Sequence, residues 1–273
     1  MRDPHDAAAD FTARQLVATA LAAALSDACV PPDRGLPSGA LAALGSAWRL
    51  LVESHASLKR TDLQHGELLP TDVEIEAVER WLRLDPERRQ RAAQCVFGLV
   101  ISSQCPPCET EFLRSKDAFC RAQVMADITG FYRAFGVEVS SRHPQRPDHL
   151  VLELEFVALL LEKLADAAGD RGASERMDVC QRALASFMKD HLTTWVASLG
   201  RLVAQRAADA AATMSEETER EGVALLGGVG RILCAWVAAE RHCARLEPAL
   251  NIELSQLSAP IESDQACAAC ECL

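Results

Sequence analysis

The sequence predicts a single compact all-α domain followed by an irregular tail. Hydrophobic residues make up 49% of the 273 residues and aromatic residues only 5%, a composition that favours packed helices over a β-sandwich. Apolar residues recur at three- and four-residue steps, and no convincing run alternates apolar with polar residues. We therefore expect a helical domain at residues 8–250 and an acidic, cysteine-bearing tail at residues 251–273.

The predicted helices follow one another along the domain, with prolines and glycines between them. Thr71 is the expected N-cap of the third helix, and Gly169 suits the C-terminal cap of the sixth. Gly227, Gly228 and Gly230 lie inside the last helix, where they indicate close helix packing or a kink rather than a phosphate loop. The expected helices cover approximately residues 10–27, 38–58, 71–86, 87–101, 115–135, 150–169, 174–213 and 216–246.

Charge and hydropathy exclude several classes of protein. The formal net charge is −11 and there is no basic patch with interleaved aromatic residues, so nucleic acid is not an expected partner. The first fifteen residues contain acids and no unbroken apolar core, which argues against a secretory signal. Because no stretch reaches about 18 consecutive apolar residues, we also expect no membrane span. These observations predict a cytoplasmic protein.

The eleven cysteines raise the question of a redox centre or a metal site. Their number is odd and no export signal is visible, so we expect reduced thiols rather than a disulfide framework. Cys105 and Cys108 form a Cys-Pro-Pro-Cys pair, but the thioredoxin-like α/β unit of a redox centre is not visible.

The tail carries a second cysteine cluster, formed by Cys267, Cys270 and Cys272. Thiolates at such short spacings bind zinc or an iron–sulfur cluster, although three fall one ligand short of a closed tetrahedral site. Cys105 and Cys108 could complete the site if the tail folds back; otherwise the tail thiols stay unliganded.

No catalytic constellation is recognisable, so we expect a protein that is not an enzyme. The sequence lacks a nucleophile elbow, a phosphate loop, a dinucleotide-binding fingerprint and a His-Glu-x-x-His zinc motif. His149 and His191 could act as acids or bases, but no nucleophile or second carboxylate stands at a recognisable spacing from either.

Four segments resemble the TorD/DmsD/NarJ family, and they occur in that family's order. Residues 146–164, RPDHLVLELEFVALLLEKL, resemble its signature, and residues 105–112, CPPCETEF, resemble its Pro-Tyr-Glu segment, with Cys108 in place of the tyrosine. MADITGFYRAFGVEV resembles the Gly-Phe-Tyr helix, and FMKDHLTTWVASL resembles the downstream His-Leu-x-x-Trp. The resemblance covers about residues 90–205 and is greatest to the branch serving ethylbenzene, dimethyl sulfide, selenate or chlorate enzymes.

This resemblance implies a TorD-like helical fold and a cytoplasmic chaperone. Such a chaperone binds the precursor of a molybdopterin oxidoreductase catalytic subunit, and its twin-arginine leader peptide, until the cofactor is inserted. No cofactor of its own is required, and both a monomer and a homodimer remain open. The alternative is a thiolate-metal protein that acts as a metal sensor or donor.

The resemblance also implies which residues bind the client. From the residues alone, Asp148 follows a proline and can cap the helix beginning near Leu150, with His149 projecting from the same turn. Asp148 could therefore serve only as the N-cap of this helix. Tyr132 could likewise be a core residue and not a client-binding one. Glu155 points to a different helix face from Glu153. The implied client-binding residues are Asp148, His149, Glu153, Glu109, Phe112 and Tyr132.

Overall fold

The computed structural model describes residues 4–26, 36, 39–98, 105–115, 117–141, 145–170 and 172–248. Within these ranges the chain forms helices and no β-strand, which confirms the prediction of an all-α domain. The α-helices are α1 (Pro4–Leu25), α2 (Ala40–Ser54), α3 (Glu76–Arg83), α4 (Pro86–Phe97), α5 (Ala118–Ala134), α6 (Leu150–Ala168), α7 (Ser174–Phe187), α8 (Thr193–Thr213) and α9 (Glu217–Cys243).

Helix α9 lies at the centre of the domain. It packs along α8 on one side and against α3 and α4 on others, while α1 packs along α6 and α2. Helix α9 has the length and apolar composition of a membrane span, but 78% of its most apolar 18-residue window is buried in the protein. Packing in the core therefore accounts for its hydropathy.

Glycines allow α8 and α9 to approach each other closely. A Cβ atom on Gly230 would lie 2.5 Å from the backbone oxygen of Gly200, and one on Gly228 would lie 2.5 Å from the Cβ of Ala77 in α3. Both distances are far inside van der Waals contact. The prediction that this glycine cluster serves helix packing is therefore confirmed.

The start of α3 differs from the sequence prediction. Thr71 does not cap this helix; it lies in a separate 3₁₀ turn at Pro70–Asp72. Val73 is extended (φ −137°, ψ 150°) and ends that turn before α3 begins at Glu76. The extended residue lets Val73 and Ile75 both bury their side chains, so tertiary packing overrides the local capping signal.

The long helix predicted at residues 174–213 is interrupted. Between α7 and α8, residues Met188–Leu192 form one π-helical turn. A π turn holds an additional residue and changes the direction in which the following side chains point. Met188, His191 and Leu192 are all buried there.

Candidate functional site

Two segments far apart in sequence meet at the start of α6. Cys108 and His149 form an isolated antiparallel bridge, and the Leu150 N–H donates a hydrogen bond of 2.9 Å to the Pro107 carbonyl. The segments are those that carry the family resemblance, Cys-Pro-Pro-Cys-Glu-Thr-Glu-Phe and Arg-Pro-Asp-His. The backbone therefore joins the two signatures into one site.

Asp148 is the buried centre of this junction. The Thr110 N–H and hydroxyl both donate to its Oδ2, at 3.0 and 2.8 Å. Arg146 donates from Nε to Oδ1 at 3.0 Å and from Nη2 to Oδ2 at 2.8 Å. Burial alone would raise the pKa of Asp148, but these hydrogen bonds from Arg146 and Thr110 lower it below its usual value. Asp148 is therefore held as a carboxylate.

The predicted N-cap role of Asp148 is wrong, because its neighbour has that role. His149 is the N-cap of α6, and its Nδ1 accepts the Val151 N–H at 3.3 Å. Asp148 turns instead toward Arg146 and Thr110. The charge of the guanidinium and the hydrogen bonds from both residues stabilise the carboxylate more than a single helix N–H would. Burial lowers the pKa of His149 to about 4, so the imidazole is neutral near pH 7.

The ion pair extends outward through Glu111. Arg146 Nη1 lies 3.0 Å from Glu111 Oε1, and Arg121 Nη2 lies 3.3 Å from Glu111 Oε2. The resulting chain of alternating charges joins α5 to both signature segments. Arg146 already forms ion pairs with Asp148 and Glu111, the acids to which an arginine of a ligand would otherwise bind.

Glu109 forms a second buried contact, with the π turn. His191 Nδ1 lies 3.0 Å from Glu109 Oε2, and His191 Nε2 lies 3.2 Å from Asp127 Oδ2. Glu109 and His191 are buried, whereas 62% of the Asp127 side chain is exposed. Burial disfavours the imidazolium, but the hydrogen bond and charge of Glu109, with the charge of Asp127, raise the pKa of His191. The π turn thus connects the site to the surface.

Glu153 lies one turn into α6 and is fully buried. Neither carboxyl oxygen has a hydrogen-bond partner among the described residues. Burial, together with the charges of Glu109 and Asp148, raises the pKa of Glu153 well above its usual value, and the nearby Trp195 indole opposes this only in part. Burial therefore favours the protonated form of Glu153, whereas Glu155 is exposed as expected from the helix geometry.

The two aromatic residues of the predicted set support the junction. Tyr132 is buried and its hydroxyl donates to the Pro147 carbonyl at 3.0 Å, which fits the alternative that placed it in the core. Phe112 is half-buried, and its ring centroid lies 5.2 Å from that of Trp195.

The described cysteines do not form a metal site. Cys105 and Cys108 are both buried, and burial raises the pKa of the first thiol to about 11 and of the second to about 12. Such thiols resist the deprotonation that metal binding requires. Among the residues that the structure describes, no group of three or more His, Cys, Asp or Glu side chains could hold a metal ion. Cys267, Cys270 and Cys272 lie outside the described residues.

A cavity of about 350 Å³ borders the junction. His149, Gln145 and Pro107 form one wall, and residues of α1, α3, α4, α8 and α9 form the others. Of the six implied client-binding residues, only His149 lines this cavity, whereas the acids Asp148, Glu109 and Glu153 are buried and do not line it.

Three residues that contact the predicted residues are not indicated by the sequence. Arg146, Thr110 and Asp127 were not candidates, although all three bind a predicted residue directly. An arginine two residues before an aspartate could have indicated the Arg146–Asp148 pair. No local pattern indicates Thr110 or Asp127, because their partners lie 38 and 64 residues away.

Part of the chain is similar in sequence to known proteins. Residues 71–200 match the family model described as the nitrate reductase delta subunit. Over 82 residues the chain is 33% identical to the selenate reductase assembly chaperone protein of Thauera selenatis, covering 30% of this chain and 40% of that protein. Over 76 residues it is 33% identical to the perchlorate reductase assembly chaperone protein of Dechloromonas aromatica (strain RCB), covering 28% of this chain and 33% of that protein.

These matches span less than half of either relative, and no solved structure matches the chain significantly. The matched family region nevertheless contains both signature segments, the π turn and all six implied client-binding residues. Residues 71–200, just under half of the chain, are therefore similar to the nitrate reductase delta subunit family, and shorter segments are similar to the two assembly chaperones.

Proposed function

We propose that this protein is an assembly chaperone for the catalytic subunit of a molybdopterin oxidoreductase. Its relatives are assembly chaperones of a selenate reductase and a perchlorate reductase, and the proposal extends that role to this chain. It would act in the cytoplasm by binding the precursor until the cofactor is inserted, without turnover of its own. A requirement for a metal or cofactor forms no part of this proposal.

One observation carries the proposal. The two segments that resemble the family form a single hydrogen-bonded junction, and a cavity opens beside it at His149. A chaperone of this kind needs a fixed recess that can receive part of an unfinished client. We assign the contact role to His149, and we assign Asp148 and Glu109 the role of holding the junction in place, because they are buried and bind Thr110 and His191.

The twin-arginine leader is a second proposed ligand. The net charge of −11 attracts a cationic peptide over long range. Asp148 is buried and binds Arg146, so the leader would meet acids on the exposed surface instead. Leader binding should weaken as salt rises, since exposed charges are screened.

The decisive experiment measures molybdenum in the client. The precursor of a molybdopterin enzyme from the same source is expressed with and without this protein, purified, and assayed for molybdenum and for co-purification with the chaperone. We expect capture of the precursor and a higher molybdenum content with the chaperone present. Equal molybdenum content and no capture would contradict the proposal.

A matched pair of variants tests the assigned contact. His149→Asn removes the imidazole but retains a residue that caps helices well, so α6 should remain intact. Asp178→Asn removes an exposed acid of α7 far along the chain and is the control. We expect weaker capture only for His149→Asn, with unchanged Tm for both variants.

A further inference from the structure

The cavity beside His149 has apolar walls. They come from helices that are distant in sequence, and Trp81 is tied into the wall by its indole N–H, which donates to the Ala24 carbonyl at 2.7 Å. The apolar wall residues are Leu25, Trp81, Phe97, Leu150, Leu199 and Leu226. A half-open recess of about 350 Å³ with such walls suits one or two apolar groups.

An unpaired arginine also lines this cavity. The Nε of Arg89 is buried and has no hydrogen-bond partner, and no ion pair joins its guanidinium to a described residue. Its neighbours on α4 are satisfied: Arg88 contacts Glu221 at 3.3 Å, and Arg91 contacts Glu87 at 3.8 Å. A partly buried cation without a counter-charge is costly, so this position favours an anion.

Two further polar groups face the same space without partners. His149 uses Nδ1 to accept the Val151 N–H, so in the neutral imidazole Nε2 carries the proton, and this group has no acceptor among the described residues. The amide oxygen Oε1 of Gln145 is buried and has no hydrogen-bond partner within the described part of the chain. The cavity thus offers a cation, a neutral donor and an acceptor.

We propose that this cavity binds the free carboxyl terminus of a peptide chain that ends in an apolar residue. A carboxylate matches the guanidinium of Arg89 and can also accept from His149 Nε2. The terminal amide N–H donates to Gln145, and the terminal side chain fills the apolar part of the cavity. The space is small for an extended segment passing through, which favours a chain end.

This inference rests on the proposed function only for the source of the peptide, which would be the client. The chemistry of the cavity does not depend on the proposed function. Arg89 would repel the arginines of a leader, so the leader is not the occupant proposed for this cavity.

The test uses three short peptides and calorimetric or NMR titration. The first is N-acetyl-Ala-Leu with a free carboxyl group, the second is its C-terminal amide, and the third is N-acetyl-Glu-Leu amide, which has only a side-chain carboxylate. We expect saturable binding of the first peptide and binding at least about tenfold weaker for the other two, since a hydrogen bond to a charged group has about that effect.

Variants on α4 locate the binding. Arg89→Gln should abolish the preference for the free carboxyl group, whereas Arg91→Gln, on the exposed side of the same helix, should retain it. Because Arg89 forms no hydrogen bond through Nε and no ion pair with the residues that the structure describes, Arg89→Gln should not lower Tm, which separates a binding role from a structural one.

Three results would overturn the proposal: no saturable binding of the first peptide, equal binding of acid and amide, or an undiminished preference in Arg89→Gln. Tighter binding of the third peptide would equally overturn the assignment to a chain end. The proposed chaperone function is judged separately, by capture of the precursor with the wild-type protein.

Discussion

Arg146 and Asp148 form a bidentate ion pair, with Nε 3.0 Å from Oδ1 and Nη2 2.8 Å from Oδ2. The pair joins two residues of one turn, yet it also fixes a segment 38 residues earlier, because Thr110 binds the same carboxylate. The internal arginine takes the position that a ligand's arginine would need. We therefore propose that Asp148 shapes the site and does not bind the ligand directly.

Asp148→Asn should destabilise the protein. The change leaves the Arg146 guanidinium with Glu111 as its remaining acid, so we expect a loss of about 2 kcal/mol at pH 7, less than for a fully buried pair. Because the folded-state pKa of Asp148 is lowered, its contribution is complete above about pH 4 and is lost as the pH falls further. Urea unfolding at several pH values measures this difference.

Asp178→Asn provides the control, since that side chain is exposed and should leave stability unchanged at every pH. A constant difference between wild type and Asp148→Asn from pH 7 to pH 3 would argue against a salt-bridged carboxylate at Asp148.

Glu153→Gln should have the opposite dependence on pH. The raised pKa means that folded Glu153 retains its proton while the unfolded chain releases it above about pH 4.3. Folding of the wild type is therefore penalised by up to about 1.4 kcal/mol per pH unit in that range, until the folded-state pKa is reached. The neutral glutamine lacks this penalty, so its stability relative to wild type should increase between pH 5 and pH 8.

Urea unfolding at pH 5, 6, 7 and 8 checks this slope, with Glu175→Gln on the exposed surface of α7 as the control. Parallel curves for wild type and Glu153→Gln would mean that Glu153 is ionised in the fold.

The outcome at α6 illustrates what a sequence can and cannot predict about this site. Helical periodicity predicted α6 and its start near Leu150, because an amphipathic pattern is local information. The same local pattern predicted Asp148 as the N-cap, because the contacts of Thr110 and Arg146 with the Asp148 carboxylate form only in the folded protein. His149 then took the cap.

The sequence does not predict the π turn or the cavity, because both depend on contacts that form only in the folded protein. One extra residue at Met188–Leu192 leaves the apolar pattern of α7 and α8 nearly unchanged, yet it directs His191 toward Glu109. The unpaired state of Arg89 depends on which side chains α4 meets in the fold, and its sequence neighbours Arg88 and Arg91 look the same in a linear pattern.

Asp127→Asn should lower the pKa of His191. The acids Glu109 and Asp127 lie on opposite sides of the imidazole, and together they raise its pKa against the effect of burial. The stability from these contacts is fully present below about pH 6.5 and is lost as the pH rises through the folded-state pKa. An NMR titration of the imidazole should find a lower midpoint in Asp127→Asn and no change in Asp178→Asn. An identical midpoint in all three proteins would show that Asp127 does not interact with the ring in solution.

Gly230→Ala should be strongly destabilising. Its new methyl group would meet the Gly200 carbonyl oxygen at 2.5 Å, so α8 and α9 would have to move apart, at a cost of about 3 kcal/mol or more. Gly130→Ala in α5 is the matched control, because a Cβ there meets nothing within 4 Å. The control should gain about 0.5–1 kcal/mol from better helix propensity. Equal effects of the two substitutions in urea unfolding would refute the close approach of α8 and α9.

The two cysteines of the junction should be dispensable for any metal that the protein carries. Both thiols are buried, with pKa values raised to about 11 for Cys105 and about 12 for Cys108, so forming two thiolates there would be costly near pH 7. We therefore expect the metal content of anaerobically purified protein to be the same in wild type and in Cys105→Ala/Cys108→Ala, measured by mass spectrometry of the released metal. A triple serine variant at Cys267, Cys270 and Cys272 tests the tail independently in the same assay. A loss of bound zinc or iron in the Cys105/Cys108 variant alone, with helicity retained, would place metal ligands at the junction and contradict the interpretation of these thiols as packing residues.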